Sequence, residues 1–313
     1  MTDLLCLGEP MLELNRQPPD ASGRALYLEG FGGDTSNAAI AAARQGASTG
    51  YISALGDDPA GRAFRALWTA EGVDHTTTRT DPTAPTGLYL VTHDVTGHHF
   101  AFFRTGSAAS RLQPHDLPAA AIESAKILHL SGISQAISDA ACDAGFRAIA
   151  IARAAGTKVS YDTNLRLRLW PAPRAAAVIH AAIAQADIAL PSLEDATTLT
   201  GLTDPDAVAD FYLRLCPLVV LKCGAAGVLV ASADGRTRIP GHRVASIDAT
   251  GAGDTFCGAF LARTLAGDDP ASAAAYANAA AALATTGYGA VAPIPRPDAV
   301  RALQHSSTAG GAT

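Results

Sequence analysis

Short apolar runs punctuate the chain at residues 4–7, 49–54, 127–130, 158–161, 188–190 and 218–221. Each is too short for a packed helix and reads as a buried strand. The stretches between them carry helix signals. Residues 38–45 are alanine-rich, follow the polar turn Gly32-Gly33-Asp34-Thr35-Ser36-Asn37 and close at Gly46. Asp58-Pro59 opens a helix that passes Arg65 and Trp68 and ends near Gly72. Residues 138–155, 175–185, 206–215 and 272–286 repeat the pattern, Ser192 opens another helix, and Arg296-Pro297 begin a last short one. Residues 305–313 are small, polar and Gly-rich and read as a frayed end. Strand alternating with helix is the rhythm of a parallel α/β sheet.

That rhythm breaks twice. Residues 11–15 and 25–31 alternate loosely around a polar, Pro-rich connection, and residues 87–93 and 98–104 flank Asp94-Val95-Thr96-Gly97. Both read as hairpins. Together they predict a small antiparallel sheet, from about 11–31 and 86–105, placed as a lid over helix N-termini. His93, His98 and His99 lie at the second turn, where exposed histidines explain the spacing better than a metal site. No internal repeat or low-complexity linker appears. The expected architecture is one α/β domain over residues 1–313 with a β insertion.

Composition narrows the partners. The chain is 48% hydrophobic and 17% charged, which is globular. A net charge of -6 excludes nucleic acid as the main partner, because phosphate backbones select basic surfaces. Cys6, Cys142, Cys216, Cys223 and Cys257 are scattered without metal spacing and read as reduced core residues of a cytoplasmic protein. No apolar stretch is long enough to span a bilayer.

The candidate chemistry gathers at Ile247-Asp248-Ala249-Thr250-Gly251-Ala252-Gly253-Asp254-Thr255-Phe256. A small-residue turn leads into a helix beginning near Ala252, so several backbone N–H groups face one point and form an anion site. Asp254 would repel a resting phosphate there. Its place is explained if it takes a proton from a hydroxyl that attacks phosphorus; a residue favouring the helix dipole is the alternative. Further polar motifs, 162–166, 192–195 and 222–227, fall at strand ends, where ligands of parallel sheets bind.

Two separated signatures, Gly32-Gly33-Asp34-Thr35-Ser36-Asn37-Ala38-Ala39 with Gly46 and Asp248 through Phe256, resemble the ribokinase, or PfkB, family of carbohydrate kinases over residues 4–304. Gly8-Glu9-Pro10, Gly87-Leu88-Tyr89, Phe102-Phe103-Arg104, Asn164-Leu165-Arg166 with Leu169-Trp170, and Pro191 through Asp195 are most similar to its 2-keto-3-deoxygluconate kinase branch. The resemblance implies a ribokinase-like three-layer sandwich with a mostly parallel central sheet and a β lid that joins subunits into a homo-oligomer. It also implies ATP, Mg²⁺ and a monovalent cation such as K⁺.

By the same resemblance, Asp254 is the base, and the N–H groups of Gly251, Ala252 and Gly253 stabilise the transferred phosphoryl group. Gly33, Asp34 and Asn37 hold sugar hydroxyls, and Tyr89 and Phe102 cover the sugar. Arg104 and Arg166 suit the carboxylate of an acid sugar. Ser192, Lys222, Gly224 and Gly227 surround the ATP phosphates and ribose, Asn278 lies near adenine, and Asp195 orders Mg²⁺ through water. The chain departs from the family at Ala249 (usually Thr), Thr163 (usually Pro), Phe102 (commonly Tyr) and Ser192 through Asp195 (commonly Asn-x-x-Glu). A kinase for a neutral sugar or a nucleoside, and a sugar sensor without turnover, are the competing expectations.

Overall fold

Short strands that are apolar on both faces need cover on both faces, and the chain supplies it with helices taken in sequence order. The computed structural model describes residues 2–94 and 97–309. The first half holds β1 (Leu4–Leu7), β2 (Met11–Gln17), β3 (Leu26–Gly32), α1 (Asp34–Arg44), β4 (Thr49–Gly56), α2 (Pro59–Glu71), β5 (Val73–Asp74), β6 (Thr78–Asp81), β7 (Gly87–Asp94), β8 (Gly97–Phe103), α3 (Ala119–Ser124), β9 (Ile127–Ser131), α4 (Gly132–Ala136) and α5 (Asp139–Ala155). The second half adds β10 (Lys158–Asp162), α6 (Ala172–Ile183), β11 (Ile188–Ala189), α7 (Leu193–Thr200), α8 (Pro205–Leu213), β12 (Leu218–Lys222), β13 (Val228–Ser232), β14 (Gly235–Ile239), α9 (Ala252–Leu265), α10 (Pro270–Ala284) and α11 (Pro297–Ala309).

The main sheet is ordered β14-β13-β12-β11-β10-β9-β1-β4-β5, with β6 on the far part of β4. Pairing is parallel from β12 to β5, and β13 and β14 add an antiparallel edge. β1 shows why three layers form. Its Leu4 and Cys6 join the core made with α1, α9 and α10, whereas Leu5 and Leu7 join the core made with α5, α6 and α8. All four residues are buried, so this strand reads as a continuous apolar run rather than an alternating one.

The lid is a four-stranded sheet, β3-β2-β7-β8. Each hairpin is antiparallel, but they join through a parallel β2–β7 pair that sets Glu13 opposite Tyr89. Both inner strands leave the main sheet in the same direction, so only parallel pairing brings them together. The turn residues 95–96 and the imidazole of His98 lie outside the described residues. His93 is exposed, and its Nε2 lies 2.7 Å from Asn15 Oδ1.

Boundaries moved in places. Helix α1 begins at Asp34, ahead of its alanine run, and the polar residues form its first turn as expected. The end expected to fray from 305 is helical through Ala309, and residues 310–313 lie outside the description. β5, β6, α3 and α4 were not expected; each is too short to show a period. Among the described residues, no helix is long and apolar enough to cross a membrane, and all five cysteines are free thiols.

Candidate active site

The strand order reverses between β1 and β9, because the chain leaves β1 for β4 on one side and later returns to β9 on the other. Ligands of open α/β sheets bind at such a switch point. Here it opens into a cleft of about 1880 Å³, bounded on one side by the lid. Every site residue singled out from the sequence lines this cleft, from Gly33 to Asn278.

At the inner end, two helix N-termini converge. Asp34 and Asn37 occupy the first turn of α1, and Asp254 the first turn of α9. Asn37 Nδ2 donates to Asp254 Oδ2 at 2.8 Å, and Asn164 Nδ2 approaches Oδ1 at 3.4 Å. Asn164 holds this place with a φ of 28°, a left-handed conformation that asparagine tolerates better than most residues. Gly33 precedes α1 with φ 113°, and a Cβ there would lie 2.4 Å from the Glu9 carbonyl oxygen. The Ser131 hydroxyl donates to Asp34 Oδ2, while Asp34 Oδ1 and Asn37 Oδ1 are buried without a partner. Buried acceptors left in this state await a donor, and sugar hydroxyls are donors of suitable size.

The electrostatics follow from crowding. Burial, and then the nearby Asp34 carboxylate, push the Asp254 carboxyl up to about 7; the Asn37 amide pulls the other way. Burial likewise raises the Asp34 carboxyl, against hydrogen bonds from Ser131 and the Thr35 N–H. Beside them, Lys222 Nζ donates to Asp162 Oδ1 at 2.8 Å. Burial alone would weaken that ammonium, but Asp162 outweighs it and holds the lysine charged above its ordinary range.

The lid places Tyr89, Phe102 and Arg104 over this end. Tyr89 donates to Glu13 Oε2 at 2.5 Å, and its ring lies 5.7 Å from that of Phe102. Arg104 is held more firmly than its sequence position suggests. Its Nε donates to the buried Glu9 at 2.8 Å, Nη2 donates to the same oxygen, and its guanidinium lies 5.7 Å from the centre of the Phe102 ring. Arg166 follows β10 and is exposed; it donates to the Leu165 carbonyl oxygen. Among the described residues it has no carboxylate partner.

At the outer end the structure sharpens several expectations. Ser192 caps α7, accepting from the Asp195 N–H, and its main chain bridges to Lys222. Asp195 Oδ2 accepts from the Thr163 hydroxyl at 2.8 Å and from the Leu165 N–H at 3.2 Å. That oxygen is therefore engaged in tying the first turn of α7 to the loop after β10. Asn278 donates to the Pro240 carbonyl oxygen, and Gly227 allows close approach of residues 239–241. Among the described residues, no group of three or more His, Cys, Asp or Glu could hold a metal by itself. Glu9, Asp162 and Ser131 had no role in the sequence reading. Glu9 and Asp162 did stand in motifs, Gly8-Glu9-Pro10 and 162–166, whereas Ser131 is marked only by its place at the carboxyl end of β9.

The sheet order, the lid and the paired helix N-termini define a ribokinase-like kinase fold. The chain belongs to the pfkB family of carbohydrate kinases, whose pattern matches residues 1–297. It is similar to a 2-dehydro-3-deoxygluconokinase of Thermoproteus tenax, at 36% identity over 290 residues, 90% of this chain and 88% of that one. It is also similar to fructokinase-1 of Oryza sativa subsp. japonica, at 34% over 294 residues and 90% of each chain. A structure of Vibrio cholerae O395 fructokinase with fructose, ADP and calcium superposes with a TM-score of 0.84, at 31% identity, covering 97% of this chain and 99% of that one.

Proposed function

We propose that this sugar kinase phosphorylates an acid sugar, 2-keto-3-deoxy-D-gluconate, giving 2-keto-3-deoxy-6-phosphogluconate. One observation carries the choice: Arg166 presents a guanidinium without a carboxylate partner among the described residues, near enough to Asp34 to offset part of the rise that burial gives that carboxyl. A guanidinium fork binds a carboxylate in two parallel hydrogen bonds.

In this reading Asp34 and Asn37 accept from sugar hydroxyls through the oxygens left free, and Tyr89 and Phe102 exclude water from above. Asp254 takes the proton of the attacking hydroxyl as the new O–P bond forms. The bond from the γ-phosphorus to the bridging oxygen breaks, and ADP leaves with that electron pair. The N–H groups at the start of α9, with Lys222 beside them, stabilise the charge on the moving phosphoryl group. When bound, ATP supplies that group and Mg²⁺ offsets its charge. The residues suit an ion held by phosphates and water rather than by the chain, since magnesium keeps several waters and few carboxylate ligands. Asp195 contributes at most its second oxygen, through water.

Arg166→Ala tests the substrate. Losing a charge-assisted hydrogen-bonding partner should raise KM for the acid sugar about 10- to 100-fold and leave KM for ATP unchanged. Arg104→Ala should also raise KM for the sugar. It should lower stability as well, because Glu9 is left buried with its charge uncompensated. A coupled ADP-release screen over sugar acids and neutral sugars makes the comparison. A neutral ketose is the second reading, favoured by the Glu9–Arg104 pair, which already neutralises one of the two arginines. Turnover of fructose but not of sugar acids, with Arg166→Ala kinetically silent, would establish it over the first.

The lid also suits a second copy of the chain. Leu26, Leu28, Phe100 and Phe102 lie exposed on one face of its sheet, as the pairing register requires. Light scattering should find a dimer or larger assembly, and Leu28→Glu should shift it to monomer. A wild-type monomer at micromolar concentration would refute this.

A further inference from the structure

A largely buried ion pair sits on the α9 face of the sheet, in a mostly apolar layer where its buried polar neighbours include His129 and Ser160. Asp162 ends β10 and Lys222 ends β12, and both side chains point to the α9 face of the sheet. Their neighbours Tyr161 and Leu221 point to the opposite core. Asp162 is 3% exposed, and its Oδ2 accepts from the thiol of Cys257, one turn beyond the start of α9. Taking two charges out of water costs several kcal/mol per ion, and an apolar pair of similar volume is often as stable or more so. Stability alone therefore gives this pair little reason to exist.

Its position supplies one. A Cβ on Gly253 would stand only 3.7 Å from Lys222 Nζ, so the ammonium lies beneath the N–H groups that open α9. Lysine reaches by a flexible four-carbon stem, and an unanchored ammonium would sample many rotamers. Asp162 cannot itself serve a phosphate, because both are anions. We propose that Asp162 is a positioning residue of phosphoryl transfer: it fixes Lys222 under the α9 N-terminus, and the pair supplies a balanced charge against which Asp254 works. This rests on the reading of Asp254 as the base.

The groups facing Asp254 are Asp34 and Asn37 from α1, Asp162 and Asn164 from β10 and the loop after it, Lys222 from β12, and Tyr89 from the lid. Cys257 shares its helix. Asp162 makes the Asp254 carboxyl harder to ionise, and Lys222 makes it easier. The two halves of the pair should therefore move the enzyme in opposite directions. In Asp162→Asn the ammonium is no longer balanced, Asp254 ionises at lower pH, and the acid limb of the kcat/KM profile shifts down. In Lys222→Met the unbalanced carboxylate shifts that limb up. Each displacement should be about half a unit or more.

Both variants should also raise KM for ATP, and Asp162→Glu should recover part of the loss. The experiment is the pH–rate profile of the full chain for the wild type, these variants and Asp162→Asn/Lys222→Met, with thermal melts alongside. The double variant removes both charges, so its acid limb should return close to the wild type while its kcat stays low. Limbs that move the same way, or do not move, overturn the proposal. So does a double variant that is folded and fully active. An Asp254→Asn enzyme that keeps a wild-type rate and acid limb instead refutes the underlying assignment of the base.

Discussion

Asp254→Asn should lower kcat by about 10²–10⁴ while the protein stays folded. Asparagine preserves the volume of the side chain, and its amide oxygen can still accept from Asn37 Nδ2, which now lies at 2.8 Å from a carboxylate oxygen. The first turn of α9 keeps its N–H groups, so KM for ATP should change little. What disappears is the capacity to take a proton. The wild-type profile should reveal that group directly. Burial and the Asp34 charge raise the Asp254 carboxyl to about 7, and only its ionised form acts as a base. Thus kcat/KM should climb as pH rises through about 7, and the residual rate of the variant should lack that limb. Steady-state ADP release measures both, and circular dichroism checks the fold. A variant with wild-type kcat would remove Asp254 from the mechanism, and a wild-type enzyme with no acid limb would remove the stated cause of its reactivity.

The fold was legible because its local signals agree. Short apolar runs separated by capped, alanine-rich helices specify a parallel sheet with little ambiguity, and two glycine-rich turns mark where helix N-termini meet the cleft. What could not be read were the contacts between charges brought together from different elements. Arg104 suits a substrate carboxylate by its place in the sequence; the fold delivers it to Glu9, just past the end of β1. Lys222 looked like a lone phosphate ligand; Asp162, two strands away in the sheet, takes its ammonium. Asp195 looked available to a metal, yet Thr163 and Leu165 occupy one of its oxygens. Periodicity tells which face a residue occupies and a strand end tells that it borders the cleft. Neither tells which partner arrives from another strand. The same limit applies to the lid, where alternation predicts two hairpins but not the parallel join between them.

The second large effect is expected at Gly258, about one turn along α9 from Asp254 and not among the residues lining the cleft. Helices α1 and α9 carry the two halves of the inner site, and they cross with Gly258 pressed against α1. A Cβ at that position would lie 2.2 Å from the Ala38 carbonyl oxygen, 2.7 Å from Ala41 Cβ and 2.9 Å from the Ala42 nitrogen. None of these is the flexible end of a side chain, so in Gly258→Ala the helices must part by about 1 Å to regain van der Waals separation. Overpacking of this kind costs about 1–3 kcal/mol. The activity should suffer more than the stability. The Asn37–Asp254 hydrogen bond spans the same gap, and the base must face a hydroxyl held by Asp34 and Asn37 on the other helix. A displacement near 1 Å between reacting groups can cost about 10² in rate. Gly258→Ala should therefore melt a few degrees lower and lose about 100-fold in kcat, although residue 258 touches no substrate. A folded variant with a lowered melting temperature and unchanged kcat would show that this crossing does not set the distance between base and sugar.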